Sequence, residues 1–276
     1  MYGARVKEPI RIVDPADPRI AGYTHIRERD LVGREGGFIA EGVVVLEKLI
    51  AAGRHPLRSV LLADKRVVAL RPLLEALPAD VPVYAAGQAV VDAIAGFPMH
   101  RGVLGLGQRA EPSAEALLAA LPSKALVVGL MGIANHDNMG GLFRNAAAFG
   151  ADAVLVSADC CDPLYRKAIR VSVGAALTVR FARLGPEQDM AGLLAGGGFE
   201  VLALSPAGEA TLRDLVARPR QAVLLGAEGP GLPADVLANC RTVRIPMAGG
   251  FDSLNVATAG GIVLHRLAEL RATGLP

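Results

Sequence analysis

The sequence of 276 residues is poor in aromatic side chains and almost balanced in charge. It contains no tryptophan, and aromatic residues make up 4% of it. This scarcity argues against a nucleic-acid-binding face built from aromatic rings that stack on bases. The formal net charge is only +2, so any affinity for nucleic acid must come from local basic patches.

Cysteine is also scarce. The chain has three, Cys160, Cys161 and Cys240, and a vicinal pair with one distant residue fits neither a disulfide framework nor a zinc-binding spacing. Free cysteines of this kind usually behave as small hydrophobic residues. We therefore expect no metal site.

Long apolar runs are missing, although 52% of the residues are hydrophobic. No stretch of roughly 18 residues escapes proline, charge or a polar break, so we expect no membrane-spanning helix. The N-terminal M-Y-G-A-R-V-K-E-P lacks the apolar core of a secretion signal. These absences predict a cytoplasmic globular protein.

The common nucleotide-binding motifs are absent as well. No G-x-G-x-x-G follows a predicted strand, no Walker A lysine loop occurs, and no internal repeat is evident. The interpretations as a nicotinamide-dependent enzyme or a nucleotide triphosphatase therefore lose their main support.

The apolar runs that are present predict two α/β domains, in keeping with the length. In the first, helices over 41–52, 71–77 and 88–95 alternate with strands over 59–62, 81–84 and 102–106, as in a small layered sheet. We divide the chain into an arm (1–24), an α/β domain (25–108), a linker (109–123) and a second domain (124–276).

The second domain is predicted to contain a mostly parallel sheet. Short continuous apolar runs are what a sheet covered on both faces requires. These runs lie at 125–130, 153–156, 177–181, 201–204, 222–225 and 243–245, ahead of a final helix over about 254–271.

Three segments of this domain place glycines, amides or a hydroxyl where a strand should give way to a helix. They are N-H-D-N-M-G-G-L-F-R-N-A-A-A-F-G (135–150), L-L-G-A-E-G-P-G-L (224–232) and I-P-M-A-G-G-F-D-S-L-N-V (245–256). Open α/β sheets bind ligands at such strand ends. The three segments together predict one composite site.

In this order and spacing, the three segments resemble the motifs of the SPOUT class of RNA methyltransferases, specifically its SpoU/TrmH branch, over roughly 125–270. The resemblance implies methyl transfer from S-adenosylmethionine to a ribose 2′-hydroxyl of tRNA or rRNA. It also implies an α/β domain with a deep trefoil knot, and a homodimer whose active site lies near the subunit interface. Residues 25–108 look like the small RNA-binding α/β domain of some members, with F-I-A-E-G (38–42) opening its first long helix.

The resemblance further implies that knotted loops hold the cofactor in a bent form, largely through main-chain groups, which glycines would allow to approach closely. An ordinary strand-to-helix turn and simple core packing are the alternatives. The implied cofactor-binding residues are Gly226, Ile245 and Leu254, with Glu228, Gly229, Gly231, Pro246 and Met247 shaping the walls.

The family pattern N-x-G-x-x-x-R begins at Asn138 and ends at Arg144, and its S-L-N covers 253–255. The resemblance implies that Arg144 helps to activate the 2′-hydroxyl. Because a guanidinium normally stays protonated, we expect Arg144 to anchor a phosphate and stabilise the emerging alkoxide, with proton loss assisted by phosphate or water. The implied companions of Arg144 are Asn138, Ser253, Asn255 and Glu228, which would orient ribose, Arg144 or the cofactor.

Simpler roles remain open for these residues. Asn138 and Ser253 could be helix N-caps, which would place Arg144 about one and a half turns into a helix. A cation near that positive end is disfavoured unless an anion joins it, and an RNA phosphate would be that anion. A surface salt bridge is the alternative for Arg144. Ala257 stands where many members of the family have serine. Whether the serine hydroxyl of those members has a role that this chain lacks is open.

Contacts with RNA are predicted from charge, because affinity for RNA is largely electrostatic. The candidates are Asn135 and Arg144 at the site and Arg27, Arg29, Arg34, Arg54, Lys65, Arg66, Arg101, Arg109, Arg166, Lys167 and Arg170 elsewhere. His136 is a weaker candidate for a general base, and His265 is interpreted as a helix-face residue. Two rival functions remain: an RNA-binding or ribosome-assembly factor without turnover, and a SPOUT methyltransferase that acts on a base.

Overall fold

The computed structural model describes residues 8–23, 32, 35–95, 102–249 and 253–273. Contacts between Cα atoms divide them into two compact units. The first unit comprises the described residues up to Ala110 together with Leu164–Thr178. The second comprises Glu111–Pro163 and the described residues from Val179 onward.

The first unit contains a mixed five-stranded sheet in the order β1-β4-β3-β5-β2. Strand β4 is parallel to β1 and β3, whereas β5 is antiparallel to β3 and β2. All residues of β4 are buried, as expected of a strand covered on both faces. The elements are β1 (Ile10–Ile12), β2 (Gly37–Glu41), α1 (Val43–Ala52), β3 (Leu57–Ala63), α2 (Arg71–Glu75), β4 (Val83–Ala86), α3 (Gln88–Ala95) and β5 (Val103–Gln108).

The second unit contains a seven-stranded sheet in the order β10-β12-β9-β11-β6-β7-β8, and every pair of neighbouring strands is parallel. The fold is therefore α/β with a mostly parallel sheet, as predicted. From this point the chain forms α4 (Ala114–Ala119), β6 (Ala125–Leu130), α5 (His136–Ala148), β7 (Ala153–Val156), α6 (Arg166–Val171), α7 (Ala175–Thr178), β8 (Phe181–Arg183), α8 (Met190–Gly196), β9 (Glu200–Leu204), β10 (Ala210–Thr211), β11 (Arg220–Leu225), α9 (Ala234–Asn239), β12 (Arg241–Arg244) and α10 (Val256–Thr273). None of the described helices is long and apolar enough to cross a membrane.

The segment predicted as a linker, 109–123, is part of the core of the second unit. Ser113 caps α4 by accepting a hydrogen bond from the N–H of Ala116 at 3.2 Å. Leu117 and Leu118 are buried with side chains of the sheet and of α8. The helical spacing of the apolar residues in A-E-A-L-L-A-A-L produces this buried face, so the segment does not act as a free connection.

The predicted N-terminal arm also differs from the structure. Strand β1 pairs with β4 at the edge of the first sheet, and Ile12 and Ile20 are buried in the core. The hydroxyl of Tyr23 forms a hydrogen bond with Ser59 Oγ at 2.7 Å. The buried side chains of Ile12, Ile20 and Tyr23 therefore anchor residues 10–23 to the first unit.

Two predicted elements are wrong. The run at 177–181 is not one strand, because α7 ends at Thr178 and β8 begins at Phe181. A short apolar run cannot be assigned to helix or strand by periodicity alone. F-I-A-E-G does not open a helix but forms β2, and Gly42 with φ 96° separates this strand from α1. The other predicted elements are present, with ends within about two residues of the prediction.

Helices α6 and α7 belong to the first unit although they follow β7 in the chain. Lys48 Nζ donates to the carbonyl oxygen of Val173 at 2.7 Å, and Arg54 Nε donates to that of Thr178 at 2.8 Å. The first bond holds the connection between the two helices, where Val173 has a φ of 53°, and the second holds the last residue of α7. Two basic side chains therefore have a structural role here.

Candidate functional site

The three sequence motifs follow β6, β11 and β12, which lie with β9 in the consecutive order β12-β9-β11-β6. Because these strands are parallel, the loops after them emerge at the same edge of the sheet. This is the edge at which open α/β sheets bind ligands. The structure thus brings the three motifs together.

Asn138, Glu228 and Asn255 form a hydrogen-bonded triangle with one residue from each motif. Asn138 Nδ2 donates to Glu228 Oε1. Asn255 Nδ2 donates to Asn138 Oδ1 at 2.8 Å and lies 3.3 Å from Glu228 Oε1. Asn138 is only 5% exposed, so its amide depends on these partners. The triangle therefore couples the three loops through hydrogen bonds between polar side chains.

The helix caps are not those predicted. Asn135 Oδ1 accepts from the N–H of Asp137 at 2.7 Å and caps α5. Asn255 Oδ1 accepts from the N–H groups of residues 257 and 258 at 2.9 and 3.2 Å, at the start of α10. A cap must lie just before the first helical residue. Asn138 is in the first turn and Ser253 is two residues too early, so neither is the cap.

Arg144 is the ninth residue of α5, about two and a half turns from its start. The favourable effect of the helix dipole on an anion is confined to the first turn, so the dipole argument for a phosphate at Arg144 is wrong. Its exposed guanidinium makes no hydrogen bond or ion pair with another described residue. The surface salt bridge therefore has no acidic partner in the described part of the chain.

A cleft of about 220 Å³ lies at this edge of the sheet, with Glu228 in its wall. Eight of the predicted residues line it: Gly226, Glu228, Gly229, Gly231, Ile245, Met247, Ser253 and Leu254. Pro246, Arg144, Asn138 and Asn255 do not line the cleft. Ile245 is half-buried and Leu254 is 42% exposed, so neither is simply a core residue.

The loop after β11 folds back on itself. A Cβ atom at Gly226 would lie 2.3 Å from the carbonyl carbon of Gly231 and 2.4 Å from the nitrogen of Leu232. Gly229 and Gly231 have φ values of 88° and 74°, which L-residues with side chains rarely adopt. The N–H of Gly231 donates to the carbonyl oxygen of Ala227 at 3.1 Å. The loop is thus closed by contacts between its own main-chain atoms.

Helices α5 and α10 approach closely through small residues. A Cβ atom at Gly141 would lie 2.9 Å from that of Ala257, and one at Gly260 would lie 2.6 Å from Leu142 Cδ2. Asn145 Nδ2 also donates to the carbonyl oxygen of Ala257 at 2.7 Å. This packing accounts for a small side chain at 257. Arg144 and His265 line a separate shallow groove between the two helices.

Sequence reasoning missed two parts of the site. Leu204, Ser205 and Pro206, which follow β9, also line the cleft. Their signal was the predicted strand at 201–204 followed by the turn-forming S-P-A-G, because β9 ends at the same edge as β11 and β12. Gly132 was missed as well. It has a φ of 68°, and a Cβ atom there would lie 3.0 Å from that of Ala227.

The basic residues predicted to contact RNA are only partly described. Arg27, Arg29, Arg34 and Arg101 lie outside the described residues. Arg166 Nε lies 3.7 Å from Glu41 Oε2, whereas Lys167 and Arg170 are exposed on α6. Lys65 and Arg66 are in the turn after β3, and Arg109 follows β5.

The cysteines show no sign of a reactive or metal-binding site. All three are free, and burial raises the pKa of Cys161 to about 12. Burial also raises the pKa of Cys160. Among the described residues, no three histidine, cysteine or acidic side chains form a group that could hold a metal ion.

Comparison with known proteins identifies relatives along almost the whole chain. The model of the SpoU rRNA Methylase family matches residues 125–265. An uncharacterized tRNA/rRNA methyltransferase of Mycobacterium bovis is 39% identical over 92% of this chain and 90% of its own length.

Two solved structures share the fold. An AdoMet-bound rRNA methyltransferase from Sinorhizobium meliloti has a TM-score of 0.80 at 22% identity, covering 97% of this chain and 99% of that one. An RNA 2′-O ribose methyltransferase has a TM-score of 0.77 at 26% identity, covering 95% and 100%. The family match includes all three motifs and extends over half of the sequence. The resemblance is confirmed: the chain belongs to the SpoU rRNA methylase family.

Proposed function

We propose that this protein transfers the methyl group of S-adenosylmethionine to a ribose 2′-hydroxyl of tRNA or rRNA. The observation that carries the proposal is the triangle of Asn138, Glu228 and Asn255 beside the cleft, because it unites the three motifs that define the family resemblance. The structural likeness to an RNA 2′-O ribose methyltransferase supports the choice of the ribose oxygen.

The cleft has the groups that S-adenosylmethionine requires. Leu204 and Leu237 offer apolar contact and Ser205 offers a hydroxyl. The absence of a side chain at Gly226 leaves main chain against main chain. Bound there, the cofactor would supply a methyl group made electrophilic by the sulfonium. The S. meliloti neighbour of the same fold is AdoMet-bound.

The reaction needs alignment more than covalent help from the protein. The 2′-oxygen attacks the methyl carbon, the carbon–sulfur bond breaks, and the oxygen loses its proton. In the triangle, Glu228 Oε1 accepts from Asn138 and lies within reach of Asn255. Glu228 Oε2 makes no hydrogen bond with another described residue and is open to a donor from ribose or cofactor. Asn138 and Asn255 thus orient the carboxylate, and Ser253 adds a hydroxyl to the cleft wall.

Arg144 is proposed to anchor an RNA phosphate and to stabilise the oxygen as its negative charge develops. Support comes from its exposed guanidinium, which has no partner among the described residues and lies on α5, the helix that carries Asn138. A guanidinium binds phosphate with two parallel hydrogen bonds. Because the guanidinium stays protonated, it cannot accept the proton of the hydroxyl, which passes instead to phosphate or water.

The homodimer that the family resemblance implies is proposed as well. The groove between α5 and α10 combines Arg144 with Ile262, which is 38% exposed. A second copy on this face would place Arg144 at a subunit interface. Sedimentation of the purified protein should then give the mass of two chains, and a single-chain mass would contradict this part of the proposal.

The deep knot and the role of the first unit also remain proposals. Family membership and the fold shared with known members support the knot in the second unit. For the first unit we propose RNA binding, with Asn135 of the second unit contacting RNA at the site. Exposed Lys167 and Arg170 on α6 supply positive charge in the first unit, and binding through such residues should weaken as salt is raised.

The decisive experiment supplies tritiated S-adenosylmethionine and bulk RNA from cells that lack the protein. Methyl transfer followed by alkaline hydrolysis should leave the labelled linkage intact, because a 2′-O-methyl group blocks cleavage at that position. A labelled nucleotide released by alkali would indicate a base methyltransferase. Tight RNA binding without any transfer would indicate an RNA-binding or assembly factor.

A further inference from the structure

Asp159 lies in the loop after β7 and holds the main chain of the loop after β6. The N–H of Gly132 lies 3.2 Å from Asp159 Oδ1 and 3.3 Å from Ser157 Oγ. Ser157 Oγ in turn donates to the same carboxylate oxygen. Hydrogen bonds to an ionised acceptor are stronger than those to a neutral one. The carboxylate is therefore the charged anchor of Gly132.

The residues after Asp159 extend this contact to Ile133. The N–H of Ile133 donates to Cys160 Sγ at 3.2 Å. The N–H of Cys161 donates to the carbonyl oxygen of Ile133 at 2.8 Å. The two loops are thus joined through consecutive residues, and Gly132 cannot shift without disturbing the loop after β7.

Arg183, at the end of β8, fixes the loop that presents Asp159. Its two terminal nitrogens donate to the carbonyl oxygens of Ala158, Cys160 and Cys161 at 3.2 to 3.3 Å. The planar fork of a guanidinium suits such convergent acceptors. Asp159 therefore belongs to a loop whose main chain is held on both sides.

Gly132 lies next to one part of the site in space and shortly before the other part along the chain. A Cβ atom at Gly132 would lie only 3.0 Å from the Cβ of Ala227, the residue before Glu228. Four residues after Gly132 the chain enters α5, which carries Asn138 in its first turn. A displacement of Gly132 would therefore move both partners of the Asn138–Glu228 hydrogen bond.

From these contacts we propose that Asp159 is a positioning residue for methyl transfer, acting through Gly132 on Asn138 and Glu228. The expected effect of Asp159 on the rate of methyl transfer rests on the proposed function. Its expected effect on the loop after β6 does not. Asp159 is exposed, so little packing is lost when its side chain is shortened. Removing the Asp159 carboxylate should therefore change the geometry of the site and leave the packing of the core intact.

The test compares Asp159→Ala, Asp159→Asn and Glu187→Ala in the full chain. Glu187 is an exposed acidic residue of the second unit without a hydrogen bond to another described residue, so its variant controls for the loss of one negative charge. Amide hydrogen exchange of residues 131–138 should accelerate at least tenfold in Asp159→Ala and stay unchanged in Glu187→Ala. Asp159→Asn keeps an oxygen acceptor for Gly132 and should restore most of the protection.

Turnover gives the second readout. Asp159→Ala should lower kcat at least tenfold with little change in KM for RNA. In the double variant with Asn138→Ala, kcat should fall no further than in Asn138→Ala alone, because both changes act on one contact.

Three outcomes would overturn the inference: unchanged hydrogen exchange in Asp159→Ala, a change confined to KM for RNA, or additive effects in the double variant. If the wild-type protein transfers no methyl group to ribose, the proposed function fails. The hydrogen-exchange comparison then decides the role of Asp159 by itself.

Discussion

Replacing Asn138 by aspartate tests the triangle with almost no change in shape. The amide nitrogen of Asn138, which donates to Glu228 Oε1, becomes an oxygen that faces a carboxylate. Losing a hydrogen bond to a charged group costs about 2 kcal/mol. Repulsion between two carboxylates at about 4 Å adds at least about 1 kcal/mol, the value in the dielectric of water, because Glu228 is exposed but position 138 is buried.

The free energy of unfolding of Asn138→Asp should therefore fall by about 3 kcal/mol at pH 8, measured by urea titration. We expect the same interaction to be needed in the transition state, so methyl transfer under single-turnover conditions should fall by about two orders of magnitude, the factor that corresponds to about 3 kcal/mol of activation free energy. Two close carboxyl groups share a proton more readily as pH falls. Both losses should consequently shrink at pH 5, where a protonated carboxyl can again donate to Glu228.

The matched control is Asn239→Asp. Asn239 Nδ2 donates to the carbonyl oxygen of Asp235 at 2.8 Å on the exposed end of α9, away from the triangle. This variant should lose less than 1 kcal/mol and no activity, since only an exposed bond to an uncharged acceptor is removed. Equal losses in the two variants, or an Asn138→Asp defect that does not depend on pH, would contradict a role of the Asn138–Glu228 hydrogen bond.

Three further predictions concern cofactor, substrate and pH. Arg144→Ala should bind S-adenosylmethionine normally in calorimetry yet lose methyl transfer by orders of magnitude, and near-normal turnover would contradict its role. Gly226→Ala should lose cofactor binding, because the new Cβ atom would lie 2.3 Å from the main chain of Gly231, whereas Gly196→Ala has open space and should bind normally. Burial, with two nearby arginines, lowers the pKa of His55 to about 4, and this residue is 5% exposed. The contribution of His55 to the free energy of unfolding is complete above pH 6.5 and is lost as pH falls towards 4, by at most about 3 kcal/mol. In urea titrations across this pH range, His55→Asn should reduce that loss. An unchanged pH profile in the variant would contradict the role of His55.

The motifs were predictable because their residue types carry a local conformational meaning. Glycines at 226, 229 and 231 indicate a loop that side chains would obstruct, and the structure shows close main chain at the first and positive φ at the other two. The three segments also lie together in the fold, because each follows a parallel strand that ends at the same edge of the sheet. Recognition of the family from the sequence depended on these features.

The errors lie where two local patterns compete. L-T-V-R-F is apolar enough for a strand, yet its first residues complete α7. N-H-D-N offers two asparagines as caps for one helix, and Asn135 is the cap because the helix starts directly after it. Asn138 is then free to face inward and donate to Glu228. No periodicity distinguishes these alternatives, because the free energy that decides between them comes from contacts with distant residues.

The α/β class, the parallel sheet and the family were predictable from the amino-acid sequence, because alternating apolar runs and ordered glycine motifs depend on residue type and spacing alone. Three contacts became visible only in the folded chain: Glu228 accepts a hydrogen bond from Asn138, residues 204–206 help to form the cleft, and Asp159 anchors Gly132. Each of these contacts joins residues at least 27 positions apart, or elements whose adjacency is set by strand order. A hydrogen bond depends on angstrom-scale geometry, and that geometry exists only after the sheet has assembled.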